Sequence, residues 1–330
     1  MIAGAALAAW LADRGAQQRS RDAVDAVSRI WGNHPLMTTL EARLAALPQP
    51  PDAASVLDAA RAFLDREDDI AALLAAMIEG SRADPFFRPP LHPVSSDAQA
   101  GLLLFHHRDL SISLGLADVE MLAAKKASGG PASINFTGTT GLFRFVKTGE
   151  ATLSFWEAPP LGHDFVAARA GKCRLVERRQ VGEGEEIVLD GRSQSFVIEH
   201  AASDVLYFHA MVRPEAAPLS AEYDSRTLAF IGASSTDEAA SRIQMMVSML
   251  RTMEREDAVP LIEAALASPH FYTRWHVMRE LLALDADAAL PHLRRMAEAD
   301  PHPEVRAAAR QTLDLFFADE AAPENAQCRA

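Results

Sequence analysis

Cysteine, clustered basic charge and long apolar runs are all scarce in this sequence, and each shortage excludes a class of protein. The 330 residues include two cysteines, Cys173 and Cys328, which are too few for a disulfide framework and indicate free thiols in a reducing cytoplasm. No apolar run approaches the roughly 20 residues that a membrane-spanning helix needs. The formal net charge is -13, and no Lys/Arg cluster reverses its sign locally. We therefore expect no nucleic-acid partner and no membrane contact.

The signatures of common enzyme classes are missing as well. The sequence contains no GxSxG, P-loop, HExxH or CxxC motif. No acid or nucleophile stands at a diagnostic spacing from a histidine. The hydrophobic fraction of 49% is that of a folded protein, and a chain of this length predicts two or three domains.

The first 83 residues carry apolar positions at helical spacing and predict an N-terminal helical unit over 1–83. Its first segment, MIAGAALAAWLADRG, is similar to the apolar part of a signal peptide, but no Lys or Arg precedes it. We favour a first helix, with export as the alternative. This helix is expected to pack four apolar side chains against the next helices: Ile2, Leu7, Trp10 and Leu11.

Two changes of pattern follow this unit. Four prolines in DPFFRPPLHP predict an extended strap over 84–94. The hydrophobic period then changes from 3.6 to 2, because Leu110, Ile112 and Leu114 alternate with small or polar residues, as the inward side chains of a strand do. About nine or ten such strands without long helices between them predict an antiparallel sandwich or barrel over 95–233.

One stretch of this β region resembles a known family. GEEIVLDGRSQSF, from Gly184 to Phe196, is similar to the second conserved motif of the cupin family, which has a jelly-roll fold. Gln194 stands where that motif has a metal-binding histidine. The first cupin motif would place its two histidines at Arg144 and Val146, which leaves only Glu150 in agreement. The resemblance therefore implies a metal-free cupin-like domain without a cofactor, and the alternative is a divalent-metal oxygenase or isomerase with a non-standard site.

Two histidines share the phase of inward apolar side chains on neighbouring strand candidates. His200 is in phase with Phe196 and Ile198, and His209 is in phase with Tyr207. Both imidazoles could line a pocket if the strands are neighbours, although core or rim histidines would explain them more simply. The candidate pocket for a small ligand consists of Gln194, His200, His209, Arg144 and Glu150.

Three arginines, Arg242, Arg274 and Arg306, follow one another at intervals of 32 residues, and each begins an apolar helical pattern. Such a period is typical of stacked helical hairpins. The segment DPHPEVRAAARQTL resembles the HEAT-repeat family, in which an aspartate and an arginine link neighbouring repeats. The resemblance implies this structural role for Asp300 and Arg306.

The HEAT-like helices are predicted to span 234–318, followed by a disordered tail over 319–330. The S-x-x-E spacing from Ser235 to Glu238 indicates a capping box with Ser235 as the N-cap of the first helix. Two and a half repeats fall below the usual minimum of about three, so we expect support from the β region or the N-terminal helices.

Candidate partner contacts lie on these repeat helices. The better candidates are exposed arginines of the inner helices, namely Arg251, Arg279 and Arg310. A cluster of methionines has a spacing that favours core positions, with a partner groove as the alternative. Its members are Met245, Met246, Met249, Met253 and Met278.

Two functions remain open for this α+β multidomain protein. In the favoured one it is a non-catalytic cytoplasmic adaptor or regulatory scaffold that binds a protein partner through its HEAT-like helices, with a cupin-like domain for a small ligand. In the alternative the jelly roll is a metal-dependent enzyme with His200, His209, Gln194 and Glu150 around a divalent ion. The missing histidines favour the scaffold, because the chemistry of the cupin family depends on them.

Overall fold

The computed structural model describes residues 4–96, 99–127 and 132–317. Its helices are α1 (Gly4–Ala12), α2 (Arg14–Asn33), α3 (Pro35–Ala45), α4 (Ala53–Leu64), α5 (Glu67–Ala83), α6 (Val119–Ala127), α7 (Glu238–Thr252), α8 (Val259–Ala265), α9 (Phe271–Leu284), α10 (Ala286–Ala299) and α11 (Pro303–Phe316). Its strands are β1 (His92–Ser96), β2 (Gln99–His106), β3 (Leu110–Ala117), β4 (Ser133–Phe136), β5 (Thr140–Lys147), β6 (Thr152–Glu157), β7 (Arg174–Gln180), β8 (Glu186–Asp190), β9 (Gln194–His200), β10 (Val205–Val212), β11 (Leu219–Asp224) and β12 (Phe230–Ser235). Ile2, Cys328 and the tail predicted over 319–330 lie outside the described residues.

The chain divides into two compact units that do not follow the order of the sequence. The first unit comprises the described residues of Met1–Ile134, Thr139–Glu157 and Arg174–Ala216. The second comprises those of Asn135–Gly138, Ala158–Cys173 and Ala217–Ala330. The second unit therefore combines β11 and β12 with the C-terminal helices, whereas the sequence suggested a boundary after residue 233.

The N-terminal helices begin where short polar side chains can cap them. The carboxylate of Asp13 accepts hydrogen bonds from the backbone N–H groups of Gly15 and Ala16 at the start of α2. Asp52 does the same for the N–H of Ser55 at the start of α4, at 2.8 Å. Pro35 occupies the first turn of α3, where its missing N–H costs nothing.

These helices pack on one face of a six-stranded sheet and form the first core. The core joins Phe63 of α4 to Ile112 of β3 and Phe208 of β10. The indole of Trp31 in α2 is buried there, and its Nε1 donates a hydrogen bond to the carbonyl of Leu104 in β2 at 3.2 Å. The helical unit is thus built onto the sheet.

Two antiparallel sheets form the β part of the first unit. Their strand orders are β1-β2-β3-β10-β5-β8 and β7-β6-β9. Strand β10 lies between β3 and β5, which are distant from it in the sequence. A second core contains Phe145 and Tyr207 from the larger sheet together with Leu153 and Ile198 from the smaller one. Two packed antiparallel sheets with neighbours that are so distant in the sequence are typical of a jelly roll, and the predicted α+β architecture is confirmed.

Two local expectations for the first unit differ from the structure. The strap of 84–94 already contains the start of β1, where Pro93 lies on the sheet edge opposite Leu102, a position that a proline tolerates. Within the strap Phe87 is buried, and its ring lies so close to Gly80 that an added Cβ would be 2.9 Å away. Helix α6 interrupts the β region and was not predicted, because a period-2 pattern gives no signal for it.

Helix α1 does not pack as its sequence suggested. Leu7 and Leu11 are 42% and 61% exposed. Of Leu7, Trp10 and Leu11, Trp10 is the one whose side chain is held by specific contacts. Its ring stacks on Phe86 at 4.8 Å, and its Nε1 donates a hydrogen bond to the hydroxyl of Ser20. The expected packing of Leu7 and Leu11 was therefore wrong. No helix among the residues described is long and apolar enough to cross a bilayer.

The second unit holds the C-terminal helices in antiparallel pairs. Helix α9 packs against α7, α8 and α10, and α11 packs against α10. The shared core contains Val247 of α7, Ile262 of α8, Val277 of α9, Leu293 of α10 and Val305 of α11. The inner helices are thus α7, α9 and α11, and the outer helices are α8 and α10.

The first of these helices has a different N-cap from the one expected. Asp237 is the N-cap of α7, and its carboxylate accepts the N–H of Ala240 at 2.7 Å. The hydroxyl of Ser235 instead accepts the N–H of Asp237 and contacts the hydroxyl of Tyr272 at 3.0 Å. The prediction of Ser235 as N-cap was wrong because a second capping residue follows it two positions later.

The small number of repeats is supported from within the second unit. Tyr272 of α9 donates a hydrogen bond to the carbonyl of Pro218, just before β11, at 3.2 Å. His302, which is buried at the start of α11, donates from Nε2 to the carbonyl of Phe165 at 2.8 Å. The segments around 165 and 218 therefore anchor α9 and α11.

An ion pair links two consecutive repeats. The guanidinium of Arg274 binds both carboxylate oxygens of Asp300, at 2.8 and 2.7 Å, and the two side chains are only 12% and 4% exposed. Asp300 thus pairs with the arginine of the preceding repeat. Arg306 binds the backbone carbonyls of Asp300 and Pro301. The position equivalent to Asp300 in the preceding repeat is Ser268, so Arg242 has no such acid to bind.

The pair also determines the ionisation of Asp300. Burial alone would raise the pKa of its carboxyl group. The hydrogen bonds from Arg274 and from the N–H of His302 outweigh burial, and the pKa is lowered overall. The charged form is therefore the stable one in the fold.

Replacement of Gly149 by alanine should destabilise the first unit more than replacement of Gly184. Both glycines have positive φ, +53° and +75°, which costs alanine about 1–2 kcal/mol. An added Cβ at Gly149 would lie 2.2 Å from the carbonyl oxygen of Ser203, whereas at Gly184 it would meet nothing within 4 Å. We expect Gly149→Ala to lower the free energy of unfolding in urea by about 2 kcal/mol more than Gly184→Ala. Equal losses would contradict the close contact.

Replacement of Asp300 by alanine should destabilise the second unit, because it leaves Arg274 buried without its carboxylate. Breaking a buried pair costs about 3–5 kcal/mol. The matched control is Arg242→Ala, which removes an exposed pair with Glu238 and should cost less than about 0.5 kcal/mol. Urea unfolding followed by the fluorescence of Trp275 measures both, and similar effects would show that the buried pair does not hold the repeats.

Candidate functional site

The sequence predicted a ligand pocket in the interior of the jelly roll. Strand alternation points Val205, Tyr207 and His209 of β10 between the two sheets. The imidazole of His209 stacks on the ring of Phe143, with centroids 4.3 Å apart and planes at 6°. Burial lowers the pKa of His209 to about 4, so the ring is neutral near pH 7.

Aromatic rings surround this histidine. Phe143 makes an edge contact with Phe196 at 4.7 Å, and Phe145 lies 6.0 Å from Tyr207. Phe155 of the facing sheet lies 6.3 Å from Phe196. Because these rings come from both sheets and contact one another, they form an apolar filling around His209.

Gln194 and His200 do not join His209 in one pocket. They lie at opposite ends of β9, about 20 Å apart at 3.3 Å per residue. The side-chain oxygen of Gln194 accepts the N–H of Asp190 at 3.1 Å and so closes the turn between β8 and β9. His200 is exposed at the other end of the strand.

Arg144 and Glu150 also lie apart from the interior. Because Phe143 and Phe145 point inward, Arg144 points to the helical side, where it binds Asp65 at 2.9 Å and Glu186 at 3.0 Å. Glu150 is exposed in the turn between β5 and β6, at a φ of +57°. The five residues predicted as one pocket therefore occupy five separate places.

Glu186 joins the sheet to the helices through two arginines. Its carboxylate also accepts from Arg61 of α4, at 2.7 Å. Burial alone would raise the pKa of Glu186, but Arg61 and Arg144 together lower it. The environment of Arg144 is thus that of a structural ion pair between two layers.

A divalent metal ion, which the alternative enzyme function requires, does not fit these residues. A metal site needs several nitrogen or oxygen ligands that converge on one point. Gln194, His200 and Glu150 are separated, and Arg144 is a cation. No group of three or more His, Cys, Asp or Glu side chains among the described residues could hold a metal ion.

A polar cluster at one end of the jelly roll was missed. Arg213, just after β10, donates hydrogen bonds to the hydroxyl of Ser111 at 2.8 Å and to the carbonyl of His107 at 3.1 Å. Nδ1 of His106 lies 3.2 Å from the same hydroxyl. Arg213 follows His209 by four residues, so on a strand both side chains point to the same face. This spacing could have identified Arg213 from the sequence.

The second unit contains a larger candidate site. A groove of about 610 Å³ lies between the inner helices α9 and α11, with β12 and α7 at its sides. Tyr272 and Trp275 of α9 form an aromatic wall, and Arg279 lies one turn further along the helix. Glu304 of α11 faces them, and its carboxylate accepts the N–H of Ala167 at 2.8 Å. The sequence had identified Arg279 but not the aromatic wall.

The three predicted partner arginines have different surroundings. Arg251 is ion-paired with Glu280, which also accepts the hydroxyl of Ser248 at 2.8 Å. Arg279 and Arg310 are exposed, and neither makes a hydrogen bond or ion pair with another described residue. Only Arg279 and Arg310 therefore keep a free guanidinium, and only Arg279 lines the groove.

Ser248, His276 and Glu280 lie together but do not form a catalytic triad. Nε2 of His276 lies 2.9 Å from the hydroxyl of Ser248 and 3.2 Å from the carbonyl of Gln244. The carboxylate of Glu280 binds the serine hydroxyl instead of orienting the other ring nitrogen, as a triad requires. These contacts link α7 to α9.

Comparison with known proteins agrees with this description of the second unit. Residues 230–314 match a family model described as HEAT repeats. The helices within this segment are similar to HEAT repeats. The resemblance that Asp300 and Arg306 suggested is therefore confirmed. No curated protein matches the chain.

Several solved structures are similar to part of the chain at low sequence identity. One is an ectoine synthase from P. lautus, at 13% identity over 44% of this chain and 85% of that chain, with a TM-score of 0.24. Another is an RmlC-like cupin with a double-stranded β-helix fold from Methanocaldococcus jannaschii, at 7% identity over 38% and 90%, with a TM-score of 0.24. A sugar phosphate isomerase of the cupin superfamily from Silicibacter pomeroyi matches at 9% identity over 43% and 79%, with a TM-score of 0.23. TM-scores this low carry no argument, and the jelly roll is assigned from its own strand order.

The stability of the first unit should fall between pH 6.5 and pH 4 because of His209. The unfolded chain binds a proton at this histidine below its ordinary pKa of 6.5, whereas the folded chain does so only near pH 4. The difference corresponds to a loss of up to about 3 kcal/mol in the free energy of unfolding across this window. The variant His209→Phe keeps the stacked ring and should lack this part of the pH dependence. Urea unfolding at several pH values tests it, and parallel curves would contradict a buried neutral histidine.

Proposed function

We propose that this protein is a non-catalytic scaffold that binds a protein partner along the inner helices of its HEAT repeats. The observation that carries the proposal is the open groove beside α9, where Tyr272, Trp275 and the unpaired Arg279 lie together. Stacked helical repeats typically bind partners on such extended inner surfaces.

The composition of the groove supports a protein partner. Tyrosine, tryptophan and arginine dominate the binding energy of protein interfaces, because they offer large apolar areas together with directed hydrogen bonds. Tyr272 and Trp275 are partly buried, so they are held in place before a partner binds. Arg279 has no ion pair with another described residue to break, and its guanidinium can donate hydrogen bonds directly to a carboxylate of the partner.

We infer no catalytic or metal-binding role for the jelly roll. Its predicted ligand residues are dispersed, and its one interior histidine lies among aromatic rings. The donor groups of a cupin metal site do not converge. We infer that the jelly roll serves as the structural body on which the N-terminal helices are built.

Substitution of Arg279 tests this function with a matched control. A photo-crosslinking amino acid at Ala308, on the α11 side of the groove, should capture one protein from source cells. Arg279→Glu should weaken this complex by about 30-fold, equivalent to about 2 kcal/mol, because a partner carboxylate would meet a like charge. Arg295→Glu makes the same change on the outer helix α10 and should leave the complex intact. Equal capture by both variants, or no capture by the unsubstituted groove, would overturn the proposal.

A further inference from the structure

One side of α7 and of its C-cap exposes four methionines, which we call the methionine face: Met245, Met246, Met249 and the C-cap residue Met253. Each is 56–60% exposed. The sequence favoured core positions for them, and that interpretation holds only for Met278 of α9, which is fully buried. Four neighbouring apolar side chains on one helix form a surface that favours contact with another apolar surface.

The repeats themselves indicate what covers such a face. A shift of 32 residues relates Met245 and Met249 of α7 to Val277 and Leu281 of α9, and both of these are 0% exposed. The next shift relates Met245 to Ala309 of α11, which is also 0% exposed. Helices α9 and α11 each follow an outer helix, α8 and α10, and pack against it. Helix α7 follows the strand β12 instead, so its equivalent face has no outer helix of its own.

The first unit contains an apolar helix that is exposed and could cover such a face. Helix α1, GAALAAWLA, has no charged residue and no buried residue. Leu7 and Leu11 lie one turn apart on the same side, and both are exposed. A helix that is apolar on all sides is normally covered. Its length of nine residues lies between the lengths of the outer helices, since α8 has seven residues and α10 has 14.

We propose that two copies of this chain associate, with α1 of one copy packed as an outer helix on the methionine face of the partner copy. Two-fold symmetry lets each copy give one α1 and receive another, so both exposed faces are covered at once. Helix α1 carries no charge. On α7, Arg242 lies on the same side as Met245 and Met246, one turn before them, and it keeps its ion pair with Glu238 at 3.3 Å, so the contact leaves no ionised group unpaired. The alanines of α1 allow close approach, and the flexible methionines adapt to its leucines. This inference does not depend on the groove beside α9.

The mass of the full chain in solution tests the association directly. Size-exclusion chromatography with light scattering should give twice the chain mass at micromolar concentration. The double variants Leu7→Lys/Leu11→Lys and Met245→Lys/Met249→Lys should each raise the dissociation constant at least about 100-fold, because lysine ammonium groups would be buried unpaired. The control Leu315→Lys changes a leucine of α11 that is 66% exposed and should keep the dimer.

A mixed disulfide tests the pairing of the two helices without relying on the folding of charged variants. One chain carries Leu11→Cys and the other carries Met249→Cys, both with Cys328→Ser, while Cys173 is buried and does not compete. Mild oxidation of the mixture should link the two kinds of chain, and neither chain alone should form this link. A monomeric wild-type protein, a dimer that survives both double variants, or a mixture without the hetero-disulfide would each overturn the inference.

Discussion

The first unit depends on the alternation of β10 between two cores. Phe208, Ala210 and Val212 of this strand face the N-terminal helices, and Tyr207 and His209 face the smaller sheet. Successive side chains of a strand point to opposite faces, so one strand serves two apolar layers. The helices and the jelly roll are therefore not independent modules, although their sequence patterns differ completely. The low pKa of His209 is a product of the same arrangement.

Local periodicity explains what the sequence could predict, and its limits explain what was missed. The 32-residue interval predicted stacked helical repeats, and the resemblance of DPHPEVRAAARQTL to HEAT repeats implied the linking role of Asp300. The direction of Arg144 could not be read from a motif spacing, because a shift of one residue moves a strand side chain to the other face. The exposure of Met249 was equally hidden, since it depends on whether an outer helix precedes α7 and not on the sequence of α7.

In the second unit, neighbouring groups determine what each arginine does. Arg274 meets an acid of the next repeat and becomes part of the framework. Arg251 meets Glu280 on the adjacent inner helix and joins the same framework. Arg279 meets no partner among the described residues and lies at an open groove beside Trp275. Charge alone could not distinguish the three, because the acids that bind the first two lie about 26 and 29 residues away.

The shared strand has a consequence for how this protein can change over evolutionary time. Loss or gain of a single residue within β10 would exchange the side chains of its two faces and send Tyr207 toward the helices and Phe208 between the sheets. Substitutions at one face can be compensated by that layer alone, whereas a shift in register damages both layers together. Homologous chains should therefore vary in the identity of these side chains while the length of the strand stays constant.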